Sequence, residues 1–138
     1  MRVEPYLYFQ GRCEEALEFY RGAIRAEGSV VTRFADIPGS PVPPGAENNV
    51  AHAVLRIGDT TLLASDGGGS GESAYNGFSL ALTAADDAEA ERMFAALADG
   101  GSIQLPIQST PFSSRFGIVA DRFGVPWTVT TPPQTPTD

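Results

Sequence analysis

The sequence predicts an α+β protein, two βαβββ modules whose sheets combine into an open, curved mixed sheet. Three observations carry this expectation. The order of signals in the first half is strand, helix and three strands, and the second half repeats it. The punctuation repeats as well: Tyr6 corresponds to Phe78, Ser29 to Ser102 and the hairpin glycine Gly58 to Gly124, an offset of about seventy residues. Each half also carries a single helix, which covers only one face of its sheet. Two such sheets side by side leave a concave trough, lined by the residues that face away from the helices. The 138 residues suit one domain at 1–131, with module one at about 3–66 and module two at about 77–131. Residues 132–138, rich in Pro and Thr, read as a flexible tail.

Val3 to Phe9 is rich in aromatic and branched residues and reads as a strand that Gly11 breaks. A helix follows from Cys13 to Arg25, with Ala16, Phe19, Tyr20, Ala23 and Ile24 at three- and four-residue spacing. Glu14, Glu15 and Glu18 sit early in it and Arg21 and Arg25 late, as the helix dipole favours. Ser29 to Asp36 is a second strand, and the prolines between Ile37 and Asn49 make that stretch a loop. Val50 to Ile57 alternates, with Ala51, Ala53, Leu55 and Ile57 on one face and His52, Val54 and Arg56 on the other. Gly58-Asp59 turns it into a strand at Thr60 to Ser65. The run Gly67-Gly68-Gly69-Ser70-Gly71 precedes no helix and so reads as a flexible loop, not a phosphate cradle.

The second module opens with a strand at Phe78 to Thr83. Asp86-Asp87-Ala88-Glu89 has the form of a capping box, and the helix after it buries Ala90, Met93, Phe94 and Leu97 before Gly100-Gly101 stops it. Ile103 to Thr110 is an edge or bulged strand because it contains Pro106. Arg115 to Ala120 and Pro126 to Thr131 form the last hairpin, turned at Phe123-Gly124.

Composition excludes several kinds of chemistry. The formal charge of -8 repels phosphate backbones and anionic membranes, so neither nucleic acid nor membrane is an expected partner. No apolar run reaches a membrane span and the start, Met-Arg-Val-Glu-Pro, is no signal peptide, so the expected compartment is the cytoplasm. All nine basic residues are Arg, which rules out Schiff-base lysines and a P-loop lysine. Cys13 and His52 are each the sole residue of their type, leaving no CxxC pair, thiolate cluster or two-His zinc motif.

Pro5-Tyr6-Leu7-Tyr8-Phe9, with Gly11-Arg12-Cys13-Glu14-Glu15-Ala16-Leu17-Glu18-Phe19-Tyr20, resembles the opening of PhnB-like proteins. So do Ala51-His52-Ala53 with Arg56-Ile57-Gly58-Asp59, Ser65-Asp66, Gly77-Phe78-Ser79-Leu80, and Arg115-Phe116-Gly117 through Asp121 to Trp127. These proteins belong to the vicinal oxygen chelate superfamily, with glyoxalase I, bleomycin-resistance proteins and extradiol dioxygenases. The resemblance covers residues 4–131 and implies the glyoxalase/bleomycin-resistance fold and a homodimer. Some relatives bear the name of a ubiquinone-pathway methyltransferase. This chain has no strand–glycine loop–helix unit for a nucleotide-like cofactor and is too short for a doubly wound domain, which argues against that activity.

The resemblance also implies where a divalent metal would sit. The superfamily's ligand positions fall at Glu4 or Pro5, at Leu63 to Ser65, at Phe78 or Ser79, and at Thr128. Only Glu4 is a strong ligand, so no metal or other cofactor is expected. Departures from the family pattern occur at Thr110-Pro111-Phe112, where relatives commonly read Thr-Phe-Trp.

His52 and Arg56 share a strand face and are candidates to line the trough with Tyr6 and Tyr8. In one reading His52 is a general base or hydrogen-bond donor and Arg56 anchors a carboxylate or phosphate. In the other, neighbouring carboxylates such as Asp66 simply satisfy them. Phe112 and Phe116 join Tyr6 and Tyr8 as aromatic candidates for stacking on a ligand, whereas Trp127 reads as core. Cys13 begins a helix, where the dipole lowers a thiol's pKa, but a buried lone Cys behaves as a small hydrophobe. Two functional classes follow. One is metal-free binding of a small aromatic or anionic molecule by Tyr6, Tyr8, His52, Arg56, Asp66, Phe112 and Phe116. The alternative is a glyoxalase-type metal-dependent lyase, isomerase or dioxygenase, with His52 or Glu4 recruited as the catalytic group.

Overall fold

In a computed structural model the described residues are 1–39, 42, 44–67 and 73–133. The Gly-rich run from Gly68 onward, part of the Pro-rich loop and the end of the tail lie outside them. The chain divides into two compact units, residues 1–73 and 74–138. Each holds a four-stranded mixed sheet with one helix, so the molecule is α+β and its sheets are open, not closed.

In the first unit the elements are β1 (Tyr6–Tyr8), α1 (Cys13–Ile24), β2 (Glu27–Arg33), β3 (Val50–Ile57) and β4 (Thr60–Ser65), in the spatial order β1-β4-β3-β2. β1 runs parallel to β4, and the other pairs are antiparallel. Register separates two faces. Leu7, Leu62, Ala64, Ala53 and Leu55 point to one side and are buried with Ala16, Leu17, Tyr20, Ala23 and Ile24 of α1. Tyr6, Leu63 and Val54 occupy successive paired positions on the other side, which no helix of this unit covers. Strands β3 and β4 fall where alternation and the Gly58 turn place them.

Some bounds differ from expectation for local reasons. β1 is three residues long: Pro5 has no N–H to donate, and Gln10 and Gly11 turn the chain away at positive φ. α1 ends at Ile24 because Arg25 adopts the left-handed conformation, and its N–H bonds to the Tyr20 carbonyl. Its buried stripe includes Leu17, while Phe19 is only half-buried. β2 starts two residues earlier than expected and stops at Arg33; Phe34–Asp36 is a 3-10 turn, with the Asp36 carboxylate accepting from Arg33 N–H.

The second unit repeats the plan with β5 (Leu80–Thr83), α2 (Asp87–Ala98), β6 (Ser102–Thr110), β7 (Ser113–Ala120) and β8 (Pro126–Thr130), ordered β5-β8-β7-β6. Asp86 caps α2 by accepting from Glu89 N–H at 2.8 Å, and the Glu89 carboxylate reaches back to Ala85 N–H. Ala90, Met93, Phe94 and Leu97 are buried, as their spacing requires. β6 is an edge strand with register shifts on both sides of Pro106. β7 begins at Ser113 rather than Arg115, because only Pro111 and Phe112 separate it from β6. The Asp121 carboxylate holds the last turn, accepting from Phe123 N–H, Val125 N–H and Trp127 Nε1. No helix among the described residues is long and apolar enough to cross a membrane.

Gly117 lets α2 lie close on its sheet. A Cβ there would meet Phe94 Cε2 at 2.7 Å and Ile107 Cα at 2.9 Å. Gly117→Ala is therefore expected to destabilise the protein by about 1–3 kcal/mol through overpacking. The check is the urea denaturation midpoint; an unchanged midpoint would contradict the packing described.

Candidate functional site

The side of the first sheet left open by α1 carries an aromatic and polar cluster. Tyr6 and Tyr8, two apart on β1, project the same way, and their rings stack with centroids 5.1 Å apart and planes 13° from parallel. Tyr6 Oη lies 2.8 Å from His52 Nδ1, and the two rings are tilted at 52°. Both tyrosines stay partly open to solvent, Tyr6 at 37% and Tyr8 at 47%. Partial burial, with smaller contributions from Tyr8 and Cys13, pushes the Tyr6 phenol pKa up, so it holds its proton firmly.

Strand irregularity flanks His52. β2 carries one extra residue, Val31, between the partners of Ala53 and His52, and β3 carries one extra, Ala51, between the partners of Thr32 and Arg33. Paired bulges of this kind raise the local twist and redirect side chains. No composition signal marks them, so sequence reasoning missed them.

The other candidates fall in different places. Arg56 is exposed and four residues along β3 from His52, roughly 13 Å for an extended strand. Its Nε bonds to the Gly58 carbonyl at 3.3 Å, and Glu27 is its register partner on β2. Asp66 satisfies neither His52 nor Arg56. It is buried, with Oδ1 accepting from Cys13 N–H and Oδ2 from Val50 N–H, both at 2.8 Å. Phe112 and Phe116 meet edge to face at 5.1 Å in the second unit, Phe112 being 53% exposed. Trp127 is core.

Cys13 departs from the dipole expectation. It is fully buried, and burial first, then Asp66 and Glu14, pushes its pKa from 9.0 up to about 12. The neighbouring carboxylates and desolvation outweigh the helix end.

At the positions where the sequence resemblance would place a metal, the donor set does not fit one. Glu4 Oε1 accepts from Arg2 Nε at 2.9 Å, while Oε2 is buried without a partner. Ser79 Oγ and Thr128 Oγ1 do come together, but they bond to each other at 2.8 Å. Among the described residues no three His, Cys, Asp or Glu side chains gather as a cation site. One carboxylate and neutral hydroxyls compete poorly with water for a transition metal.

Residues 1–130 match the model of a family described as 3-demethylubiquinone-9 3-methyltransferase. The chain belongs to that family. Members and neighbours show its PhnB-like character. Protein YjdN of Escherichia coli K12 is 35% identical over 147 residues, with 99% of each chain covered. Protein PA1353 from Pseudomonas aeruginosa is 37% identical, with a TM-score of 0.83 over 96% of this chain and 98% of that one. A putative 3-demethylubiquinone-9 3-methyltransferase, PhnB protein, from Bacillus cereus is 28% identical, with a TM-score of 0.79 over 95% and 99%. A glyoxylase/bleomycin resistance protein/dioxygenase domain from Frankia sp. EAN1pec, 14% identical, shares the fold at a TM-score of 0.64 over 96% and 91%. The chain thus shares its fold with that glyoxylase/bleomycin resistance protein/dioxygenase domain.

Three outcomes are expected. Asp66→Ala leaves the N–H groups of Cys13 and Val50 without acceptors and should cost roughly 2–5 kcal/mol in urea denaturation, with Asp66→Asn losing less. A loss below 1 kcal/mol would show that water replaces the carboxylate. Cys13 should resist iodoacetamide at neutral pH until the chain is unfolded. Because the folded state raises its pKa, its contribution to stability is complete below pH 9 and is lost as pH rises towards about 12. A Cys13→Ala variant should therefore show a shallower loss of stability over that alkaline window.

Proposed function

We propose that this PhnB-like protein binds a small planar molecule, aromatic or anionic, on the open face of its first sheet, without metal. The observation that carries the reading is the stacked, solvent-facing pair Tyr6 and Tyr8 with His52 bonded at its side. Two half-exposed aromatic rings on a sheet face offer a planar ligand a stacking surface whose geometry is already set. His52 supplies a polar contact at the edge of that surface. Arg56, farther along β3, supplies charge for an anionic substituent on a longer ligand. Phe112 and Phe116 form a second aromatic pair and complete the candidate set, while Asp66 and Glu4 act through structure.

The donor set described above supports binding over metal-assisted lysis, isomerisation or oxygenation. Methyl transfer has equally little support in the residues: both sheets are small and mixed, unlike the doubly wound parallel sheet that cradles a nucleotide-like cofactor. The working form is a cytoplasmic homodimer, each chain acting as one domain of paired modules. Strands with one unpaired edge, β1 and β2 in one sheet and β5 and β6 in the other, favour covering by a second copy. A monomer in analytical ultracentrifugation at micromolar concentration would end the dimer part of the proposal.

The central test is titration with 2-naphthoate, followed by NMR of the tyrosine rings. Saturable binding that shifts Tyr6 and Tyr8 is expected, unchanged by prior dialysis against EDTA. Tyr8→Ala should weaken it about threefold to tenfold, the worth of an aromatic contact. Binding that EDTA abolishes and one equivalent of zinc or manganese restores would overturn the metal-free reading.

A further inference from the structure

The Tyr6–His52 pair leaves one half of the imidazole uncommitted. Tyr6 Oη occupies Nδ1 at 2.8 Å, and Nε2 has no partner among the described residues. The direction of that bond decides what Nε2 offers. A phenol O–H is a better donor than a neutral imidazole N–H, and the bare imidazole nitrogen is a better acceptor than a phenol oxygen. The phenol's raised pKa keeps its proton available for donation. Tyr6 O–H therefore donates to Nδ1, and the imidazole proton resides on Nε2. If His52 becomes protonated, Tyr6 Oη turns to accept from Nδ1–H, and Nε2 is still a donor. In either state the site presents an N–H and never a base at this point.

We infer that Tyr6 and His52 form a specificity device: Tyr6 fixes His52 as an Nε2–H donor beside the tyrosine stack, selecting planar molecules with a carbonyl or carboxylate oxygen at the ring edge. This rests on the preceding proposal that a planar molecule occupies the open sheet face. Tyr6 has two tasks, since its ring belongs to the stack and its hydroxyl sets the tautomer. His52 touches the ligand; Tyr6 O–H acts through His52 and is a positioning group. The paired bulges at Val31 and Ala51 flank the position where this geometry must be held. A donor left facing an acceptor-free ligand is desolvated without compensation, which is how a neutral hydrogen bond becomes selective.

The test pairs two neutral ligands of the same shape, 2-acetylnaphthalene with its carbonyl oxygen and 2-isopropenylnaphthalene with a methylene in its place. The protein should prefer the ketone by about threefold to tenfold, the worth of one such hydrogen bond. His52→Phe should abolish the preference while the hydrocarbon still binds, and His52→Gln, which keeps a side-chain N–H, should restore part of it. Tyr6→Phe keeps the stack and should reduce the preference without abolishing hydrocarbon binding. His52 is the sole histidine, so its imidazole 15N signals are unambiguous. They should show an unprotonated Nδ1 and a protonated Nε2 at mildly alkaline pH. Equal binding of ketone and hydrocarbon to the unaltered protein, or a proton on Nδ1, overturns the device but leaves the planar-ligand reading standing. Failure of both compounds to bind, or binding that leaves the Tyr6 and Tyr8 rings unshifted, overturns that reading and this one with it.

Discussion

A single buried carboxylate holds the first module in register. Asp66 follows the end of β4, yet its two oxygens bind the backbone at the start of α1 and at the start of β3. Each contact settles an N–H that would otherwise be buried unpaired, the Cys13 group being one of the orphan donors of a helix start. The negative charge also sits at the positive end of α1. Ser65 extends the junction by donating from Oγ to the Val50 carbonyl and accepting from Gly67 N–H. His52 lies two residues after Val50, and β1 pairs with β4 just before Asp66. The junction therefore sets the positions of both partners in the Tyr6–His52 bond without touching either.

The second module solves the same problem mainly with hydroxyls, and its carboxylate sits on the helix instead of after the last strand. Thr131, the residue after β8, places its Oγ1 within 2.8 Å of Ser113 Oγ and 2.9 Å of Ser114 Oγ. Ser113 Oγ also contacts Thr130 Oγ1 and the Arg115 carbonyl at the start of β7, and Ser114 Oγ reaches Asp87 in the first turn of α2. Strand end, strand start and helix start are again joined at one point. Arg115, whose pKa the Glu91 hydrogen bond and the Asp87 charge raise, pins the outer side of this junction to α2. A charged acceptor makes stronger bonds but must keep every contact, because a buried charge that loses one is costly. A hydroxyl network spreads the same task over several weaker bonds. The repeat is thus one of topology and contact pattern, with the side-chain chemistry replaced.

This explains what could be read from the residues. Helix stripes and alternating strands follow from burial on one face, so α2, β3 and β4 were legible nearly to the residue. The βαβββ order was legible because turn glycines and the Asp86 cap punctuate it. Features fixed by three-dimensional hydrogen bonding were not. Asp66 looked like a partner for His52 because sequence shows a carboxylate near a strand end but not which N–H groups point at it. Cys13 was legible as a small buried hydrophobe despite its place at a helix start, but the Asp66 and Glu14 carboxylates that add to the burial and raise its pKa were not. The bulges opposite His52 left no trace because Val31 and Ala51 are ordinary strand residues. That His52 and Tyr6 share a region was legible from alternation; that they bond directly was not.

The two faces of the first sheet also answer to different constraints. On the helix side Leu7, Ala53, Leu55, Leu62 and Ala64 must fill a closed interior, where a change of one methylene is felt. The open side, which α1 does not cover, carries two part-exposed tyrosines and a histidine. Their half-covered rings gain some burial, but the exposed remainder is apolar surface available to another molecule. A fold family can therefore keep its helix-facing residues and topology while the open face changes its chemistry. In the binding mode proposed above, the open face of this chain would hold a ligand by stacking and hydrogen bonding. Such contacts depend on outline and on the position of one acceptor more than on total charge. In that binding mode selectivity would rest on how rigidly the donor is held, which returns the weight to the backbone junction beneath it.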